Sequence, residues 1–258
     1  LNQAGVSLGL ALSPILGTWI ALRGGWRQAF IVTGALGLAW IPLWKWVAGR
    51  ARVAPLPGPE PGWGGELLRD GRLWAFFAAN ALSMILYSFW FNWTTLYFVQ
   101  VHHLTLVQTA WYAWIPPVGA VVGGVAGGWL SLRLIARGVP AMRARFRVCL
   151  GASVVALAAA AVPAAPSAAW AAAGISLSFL AAAAFSVNMY TLPLDAFDGA
   201  RAAFSVSMLV SSTGLTTVVI SPCIGWVSDH YGFAPVSSVA AFTPLAACAM
   251  LWSTRSVR

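Results

Sequence analysis

Charge is what this 258-residue chain has least of: only 8% of its residues are Asp, Glu, Lys or Arg, against about 25% in a soluble domain. At 60% hydrophobic residues and a mean hydropathy of +0.78, no water-soluble fold of this length could hide so much apolar surface. The solvent such a chain requires is lipid. Cysteine is also scarce. Cys149, Cys223 and Cys248 each lie within or at the edge of an apolar run, without metal-ligand spacing. They read as small buried hydrophobes and exclude a disulfide framework. His102, His103 and His230 have no Cys or carboxylate companion at ligand spacing, so they read as solvated loop residues and no metal is expected. No cofactor motif is present. The glycines at 119, 123, 124, 127 and 128 follow no strand and lead to no Gly-Lys-Ser/Thr, which excludes a phosphate loop. No catalytic cluster or soluble domain is visible, so an enzyme is not expected.

The few charges are unequal in sign, with 15 Lys plus Arg against 6 Asp plus Glu and a net charge of +9. In a soluble protein this would suggest nucleic acid. Here the basic residues sit in short loops between apolar runs, the pattern of a topology signal, and nucleic acid is not an expected partner.

The apolar runs predict eight membrane-spanning helices near 4–22, 29–48, 73–99, 107–131, 147–165, 168–193, 202–227 and 234–253, each close to the 20 or so residues a bilayer requires. The fold class is therefore an all-α membrane protein. Prolines inside these runs are tolerated because neighbouring helices satisfy the freed backbone groups. If the first segment starts in the cytoplasm, 13 of the 15 basic residues fall on cytoplasmic segments, and only Arg23 and Arg27 lie outside. That asymmetry supports both the orientation and the helix count. One long segment, 49–72, is rich in Pro and Gly and divides a two-helix piece, 1–48, from a six-helix piece, 73–258. Within it, Trp63 to Asp70 reads as an amphipathic helix on the cytoplasmic membrane surface.

Ser13-Pro14-Ile15-Leu16-Gly17 near the end of the first helix is echoed by Ser221-Pro222-Cys223-Ile224-Gly225 near the end of the seventh. Both precede a short polar outer turn and another helix. Duplicated six-helix halves produce such echoes. On this register the first helix is the fifth of its own half, and four helices are expected before Leu1. The chain thus reads as one that begins mid-protein.

These residues resemble the major facilitator superfamily, and more closely its anion:cation symporter branch of hexuronate, aldarate, aldonate and sialic acid transporters. Gly25, Trp26, Arg27, Phe30, Gly34, Gly37, Trp40 and Trp44 stand where that branch has a Gly-Trp-Arg-x-x-Phe turn and a Gly/Trp-rich helix. The stretch from Gly128 to Arg133, with Arg137, Gly138, Arg143 and Arg145, resembles the loop between helices eight and nine. Leu132 stands where that loop usually carries Asp, which puts the usual Asp–Arg contact at the cytoplasmic gate in doubt. The resemblance covers the chain as helices five to twelve of a twelve-helix bundle.

The resemblance implies alternating-access symport of a small organic anion, such as a sugar acid, with protons. The Ala- and Arg-rich composition points to a bacterial inner membrane, and a monomer is expected. No ionisable residue falls in the middle of any predicted helix, although a buried one would mark an ion relay. In the resembling family such groups lie in helices one and four. What remains is a neutral half-site: Asn80 and Tyr87, with Asn92 and Trp93 toward the outer end of the same helix, Asn188 and Tyr190, and the cluster Ser211, Ser212 and Thr213. These groups offer the hydrogen bonds and stacking surface that a sugar acid needs. Each also has a plainer use, in helix packing or, for Trp90 and Trp93, in an interfacial aromatic belt. Arg27, Arg133, Arg137 and Asp229 are the expected gating or structural charges. The alternatives are a proton-coupled drug or metabolite exporter of the same superfamily and a non-transporting truncated membrane protein.

Overall fold

The structure, a computed structural model, describes residues 2–50 and 63–253. Most of the expected linker, with Arg52, lies outside the described residues, as do Arg255 and Arg258. All the regular structure described is helical: α1 (Asn2–Ala48), α2 (Trp63–Arg69), α3 (Gly71–Val101), α4 (Leu106–Ala113), α5 (Ile115–Ala136), α6 (Ala141–Ala156), α7 (Ala168–Ala196), α8 (Gly199–Tyr231) and α9 (Phe233–Ser253), with a 3₁₀ segment, Leu157–Ala164, extending α6.

Seven stretches among the described residues are long and apolar enough to cross a membrane, where eight were expected. The difference lies at the start of the chain. The first two predicted helices meet without a loop, and the break is one residue, Gly25, at φ 80° and ψ 168°. That backbone region is open essentially to glycine alone, so a single Gly does the work expected of a turn. Beyond it the side chains from Trp26 to Ala48 are exposed, apart from half-buried Ala29.

Two other predicted spans are compound. Pro116 and Pro117, in the first turn of α5, supply no N–H to a preceding turn, so the fourth span breaks into α4 and α5 at Trp114. Thr105 and Gln108 close a reciprocal capping box at the start of α4, satisfying N–H groups that lipid could not. Pro163 lies in the 3₁₀ segment that finishes the fifth span. The segment expected to be a surface helix does form one, α2, with only Leu67 buried.

The closest packing is between α5 and α7. A Cβ on Gly119 would sit 2.2 Å from the Ser176 carbonyl oxygen, one on Gly123 2.0 Å from that of Leu180, and one on Gly127 2.7 Å from Ala184 Cα. In lipid no hydrophobic force drives helices together, so close backbone approach through small residues supplies the attraction. The glycine stripe read from the sequence has this role.

The interior forms two apolar clusters. One contains Phe89, Trp90, Tyr97, Ile175, Phe179 and Phe233. The other contains Leu73, Phe76, Phe185, Met189, Leu209 and Leu251. The second lies near the end where the basic residues gather, the end that the sequence reading expects to be cytoplasmic. Along α3 the polar residues Asn80 and Ser83 fall between Ala79 of the inner cluster and Leu86 of the outer. Along α8, Ser212 and Thr216 fall between Leu209 and Ile224. The fold therefore sandwiches a polar layer between two greasy ones.

Candidate functional site

That layer is a seam between α3 and α8, reached also by α7. The polar residues Asn80, Ser88 and Asn92 of α3 stand eight and four positions apart, and on α8 Ser212 and Thr213 are repeated four positions on by Thr216 and Thr217. This spacing puts each set on one helix face. The Asn80 amide Nδ2 donates toward the Leu209 carbonyl at 2.8 Å, Ser212 Oγ at 2.8 Å and Thr213 Oγ1 at 3.1 Å. Thr216 Oγ1 reaches the Ala81 carbonyl at 3.5 Å, and the Ser88 and Thr217 hydroxyls lie 3.3 Å apart. Tyr190 of α7 meets Thr213, hydroxyl to hydroxyl, at 3.3 Å. Thr213 is thus the node where three helices exchange hydrogen bonds.

Asn80 is fully buried and its Oδ1 has no partner. A buried carbonyl-type oxygen without a donor is costly in low dielectric. Its three-way amide contact and its unused acceptor make it the most under-satisfied group of the seam.

The structure separates the remaining candidates. Tyr87 is half-buried, with its ring 5.1 Å from Phe179 and stacked at 5.7 Å on Phe91. Asn188 faces away from the seam: its Nδ2 donates to the carbonyls of Gly127 at 3.2 Å and Ala184 at 2.9 Å, and its Oδ1 is buried and unpaired. It lies at the α5–α7 contact. Ser211 is exposed and donates to the Ser207 carbonyl, so of the Ser211–Thr213 cluster only Ser212 and Thr213 enter the network. Asn92 is exposed and donates to the Ser88 carbonyl at 2.8 Å. Trp93 packs against α8, where a Cβ on Gly225 would come within 3.1 Å of its ring. Ser88, Thr216 and Thr217 were missed in the sequence. The signal for them was the i, i+4 polar stripe, which becomes informative once α3 and α8 are known to face each other.

Of the expected gating charges, Arg27 lies over the Trp26 ring at 4.7 Å and Arg133 over Trp129 at 5.0 Å. Arg137 is the exposed cap of α5, and Asp229 is exposed near the outer end of α8. The ion pairs at the basic end of the bundle join other residues. Arg145 of α6 binds Asp195 of α7, Arg201 of α8 binds Glu66 of α2 at 2.9 Å, and Arg72 binds Asp70 at 2.7 Å. Where Leu132 leaves no carboxylate in the loop, Asp195 supplies one at the end of α7. The Asp70 carboxylate, which also caps α3, is held below its ordinary pKa chiefly by its hydrogen bond from the Arg72 side chain. His102, capping the other end of α3, is pushed below the ordinary imidazole value by burial and by neighbouring His103. Among the described residues no group of three or more His, Cys, Asp or Glu could hold a metal.

Among the described residues the bundle thus carries a neutral polar seam at mid-depth, a Gly-lined helix pair and its charges toward the helix ends. The sequence model of the Major Facilitator Superfamily matches residues 1–212. The chain belongs to the Major Facilitator Superfamily. Its curated relatives include the hexuronate transporter of Escherichia coli K12, 24% identical over 272 residues that span 97% of this chain and 63% of the relative. Another is the galacturonate transporter of Dickeya chrysanthemi, 26% identical over 151 residues, 50% of this chain and 43% of that one. The fold matches the crystal structure of the fucose:proton symporter of E. coli with a TM-score of 0.71 at 15% identity, covering 97% of this chain and 66% of that chain. The chain thus spans somewhat less than two thirds of the length of the hexuronate transporter and of the fucose:proton symporter. The relatives are transporters and not enzymes, and the chain is a multi-pass protein of the inner membrane.

Proposed function

We propose that this superfamily member carries a small organic anion, a sugar acid such as a hexuronate or aldarate, by symport with protons. The two six-helix halves would rock about a central site in alternating access. Residues 1–48 are the last two helices of the N-terminal half in this reading, 49–72 the cytoplasmic linker and 73–258 the C-terminal half, eight helices in all, working as a monomer. The packing of α1 against α4 and α5 supports the assignment, because it sets the first piece against the second across the interface that must rock.

The observation that carries the functional reading is the Asn80–Thr213–Tyr190 node at mid-depth. It offers neutral donors and acceptors without a fixed charge, which suits the hydroxyls of a sugar acid. Recognition of the carboxylate and coupling to protons then fall to the other half of the bundle. Similarity to a hexuronate transporter along nearly the whole chain points to the same substrate class.

The test is uptake by the full-length protein in proteoliposomes. Labelled glucuronate or galacturonate is supplied outside, with and without an inside-alkaline pH gradient. Inward accumulation driven by the gradient, with counterflow between sugar acids, is the expected result. Efflux of amphipathic drugs with no sugar-acid counterflow would favour the exporter reading instead.

A further inference from the structure

Among the described residues one titratable side chain has a buried polar atom that pairs with nothing, and it is the imidazole of His102. It closes α3 at the end of the bundle opposite the ion pairs. Its backbone N–H donates to the Phe98 carbonyl at 3.2 Å, and the Leu104 N–H reaches the same oxygen at 3.2 Å. The half-buried ring crosses that of Tyr97 at 77°, with centroids 5.4 Å apart, and lies 6.0 Å from that of Phe98. Nε2 finds no acceptor in this seat. Phe98 has no polar side-chain atom, and the Tyr97 hydroxyl donates to the Val162 carbonyl of the 3₁₀ segment at 3.0 Å. The next residue, His103, stands at φ 55°, the left-handed region, where no other non-glycine among the described residues is found. A side chain is uncommon there, so the turn is held by what His102 packs against and not by backbone preference. Phe98 also meets Tyr112 of α4 at 5.7 Å, so the packing that seats His102 fixes the entry of α4 as well.

A neutral imidazole can leave Nε2 bare by carrying its proton on Nδ1, whereas an imidazolium carries N–H at both nitrogens. Protonation in place would therefore bury a charged donor with no acceptor, which is costly in low dielectric. We infer that His102 is a pH-sensitive latch, which on protonation leaves its seat on Tyr97 and Phe98 and frees the turn between α3 and α4. The surroundings offer the seated imidazolium no rescue. Its titratable neighbours are Tyr97 and His103, and the latter adds only like charge. Phe233 of α9, behind Tyr97, is apolar. The ion pairs of the described residues all lie elsewhere. Of the other titratable groups toward this end, Arg23 and Arg27 lie over the Trp19 and Trp26 rings, His230 stacks on Trp226, and Asp229 is exposed on α8. Burial, with His103 beside it, accordingly holds the His102 imidazole below its ordinary 6.5. The sign follows: the seat is at full strength above about pH 6.5 and weakens as pH falls toward the lower folded value. If the seated ring takes up no proton at all, the open population rises on the order of tenfold between pH 7.5 and 5.5, and partial uptake makes the rise smaller. Because α1 packs against α4, acidity at this end also reaches the contact between the first piece and the second. The latch does not depend on which substrate is carried.

The experiment is amide hydrogen exchange of the full-length protein in micelles at pH 7.5 and 5.5, each corrected for the intrinsic chemical rate. The reporters are the His102 and Leu104 amides, which share the Phe98 carbonyl. The reference is the turn at the other end of the bundle, where the Gly138 and Val139 amides are bonded with no histidine beside them. Acidification is expected to raise opening at the reporters about 3- to 10-fold and to leave the reference unchanged. His102→Phe keeps a flat ring in the seat and removes the titration, so its reporters should exchange alike at both pH values. His102→Gln serves the same purpose should the Phe variant fail to fold. His103→Gln should keep the pH dependence. Equal corrected exchange of the wild type at the two pH values, the same rise at the reference turn, a rise that persists without His102, or one that vanishes in His103→Gln would each overturn the latch. None of these outcomes bears on the transport reading, which is tested by uptake.

Discussion

Gly123→Ala is the sharpest perturbation the helix packing allows. The added Cβ would lie 2.0 Å from the Leu180 carbonyl oxygen and 2.6 and 2.7 Å from Leu180 C and Cα. Ordinary contact begins near 3.4 Å, so α5 and α7 must part by roughly the difference, about 1.4 Å, or rotate. Neither neighbour can yield cheaply, because the atoms met are backbone and not the tip of a flexible side chain. Overpacking of this kind costs about 1–3 kcal/mol. The separation also stretches the Asn188-to-Gly127 hydrogen bond, now 3.2 Å, and an interhelical bond of this type is worth about 0.6 kcal/mol in a membrane. The expected loss is about 2–4 kcal/mol, less whatever Ala restores in helix propensity, which is at most about 1 kcal/mol.

The control lies five residues along the same helix. A Cβ on Gly128 meets only Val187 Cγ1, at an unstrained 3.6 Å, so Gly128→Ala should be neutral or slightly stabilising. The assay is reversible unfolding of the full-length protein in mixed micelles, with both variants measured side by side. Equal stability of the two would refute the idea that the glycine stripe sets the α5–α7 distance.

Other perturbations probe the seam and the basic end. Tyr190→Phe removes the hydroxyl that meets Thr213 and should raise KM for the sugar acid about 2- to 10-fold from both membrane faces, with little change in melting temperature; a marked drop in melting temperature with unchanged KM would make the contact purely structural. Asn80→Leu removes the donor that joins α3 to three oxygens of α8; it should abolish transport and lower stability by about 1–3 kcal/mol, and wild-type uptake would show that the seam is bypassed. Asp70→Asn addresses pH. Arg72 holds the Asp70 carboxylate below its ordinary value of 3.8, so the pair stabilises fully above about pH 4 and the contribution fades as pH falls through the lower folded value. The variant should flatten the acid limb of a stability–pH curve, and an unchanged limb would dismiss the pair. Arg145→Glu with Asp195→Arg should restore more activity together than either change alone if the α6–α7 ion pair holds the basic end.

How much was legible beforehand differs from one residue to the next. The Gly119–Gly127 stripe could be read as a close-packing face because spacing alone puts those residues on one side of a helix, yet nothing in spacing says that α7 is the partner. Asn80 stood out as an amide in apolar surroundings and Thr213 as one of three consecutive hydroxyl residues, whereas Ser88 and Thr217 did not, since a hydroxyl outside such a run is ordinarily satisfied by its own helix backbone. Asn188 looked the same as Asn80 in sequence and differs only because its helix turns it toward α5. The expected eight spans differ from the seven described at Gly25, where a positive-φ glycine joins two helices without the polar loop that hydropathy looks for.

The sequence by itself determined the solvent and the helical class, because both follow from a property that adds along the chain: apolar length against bilayer thickness. Only the tertiary structure decided which helices meet, that the polar layer is an α3–α8 seam with Tyr190 brought in from α7, and that Arg145 finds Asp195 fifty residues away. Those facts depend on how each helix is rotated about its axis. In lipid that rotation is set by close packing of small residues and by the need to pair every buried polar group, which are properties of facing surfaces and not of any one segment.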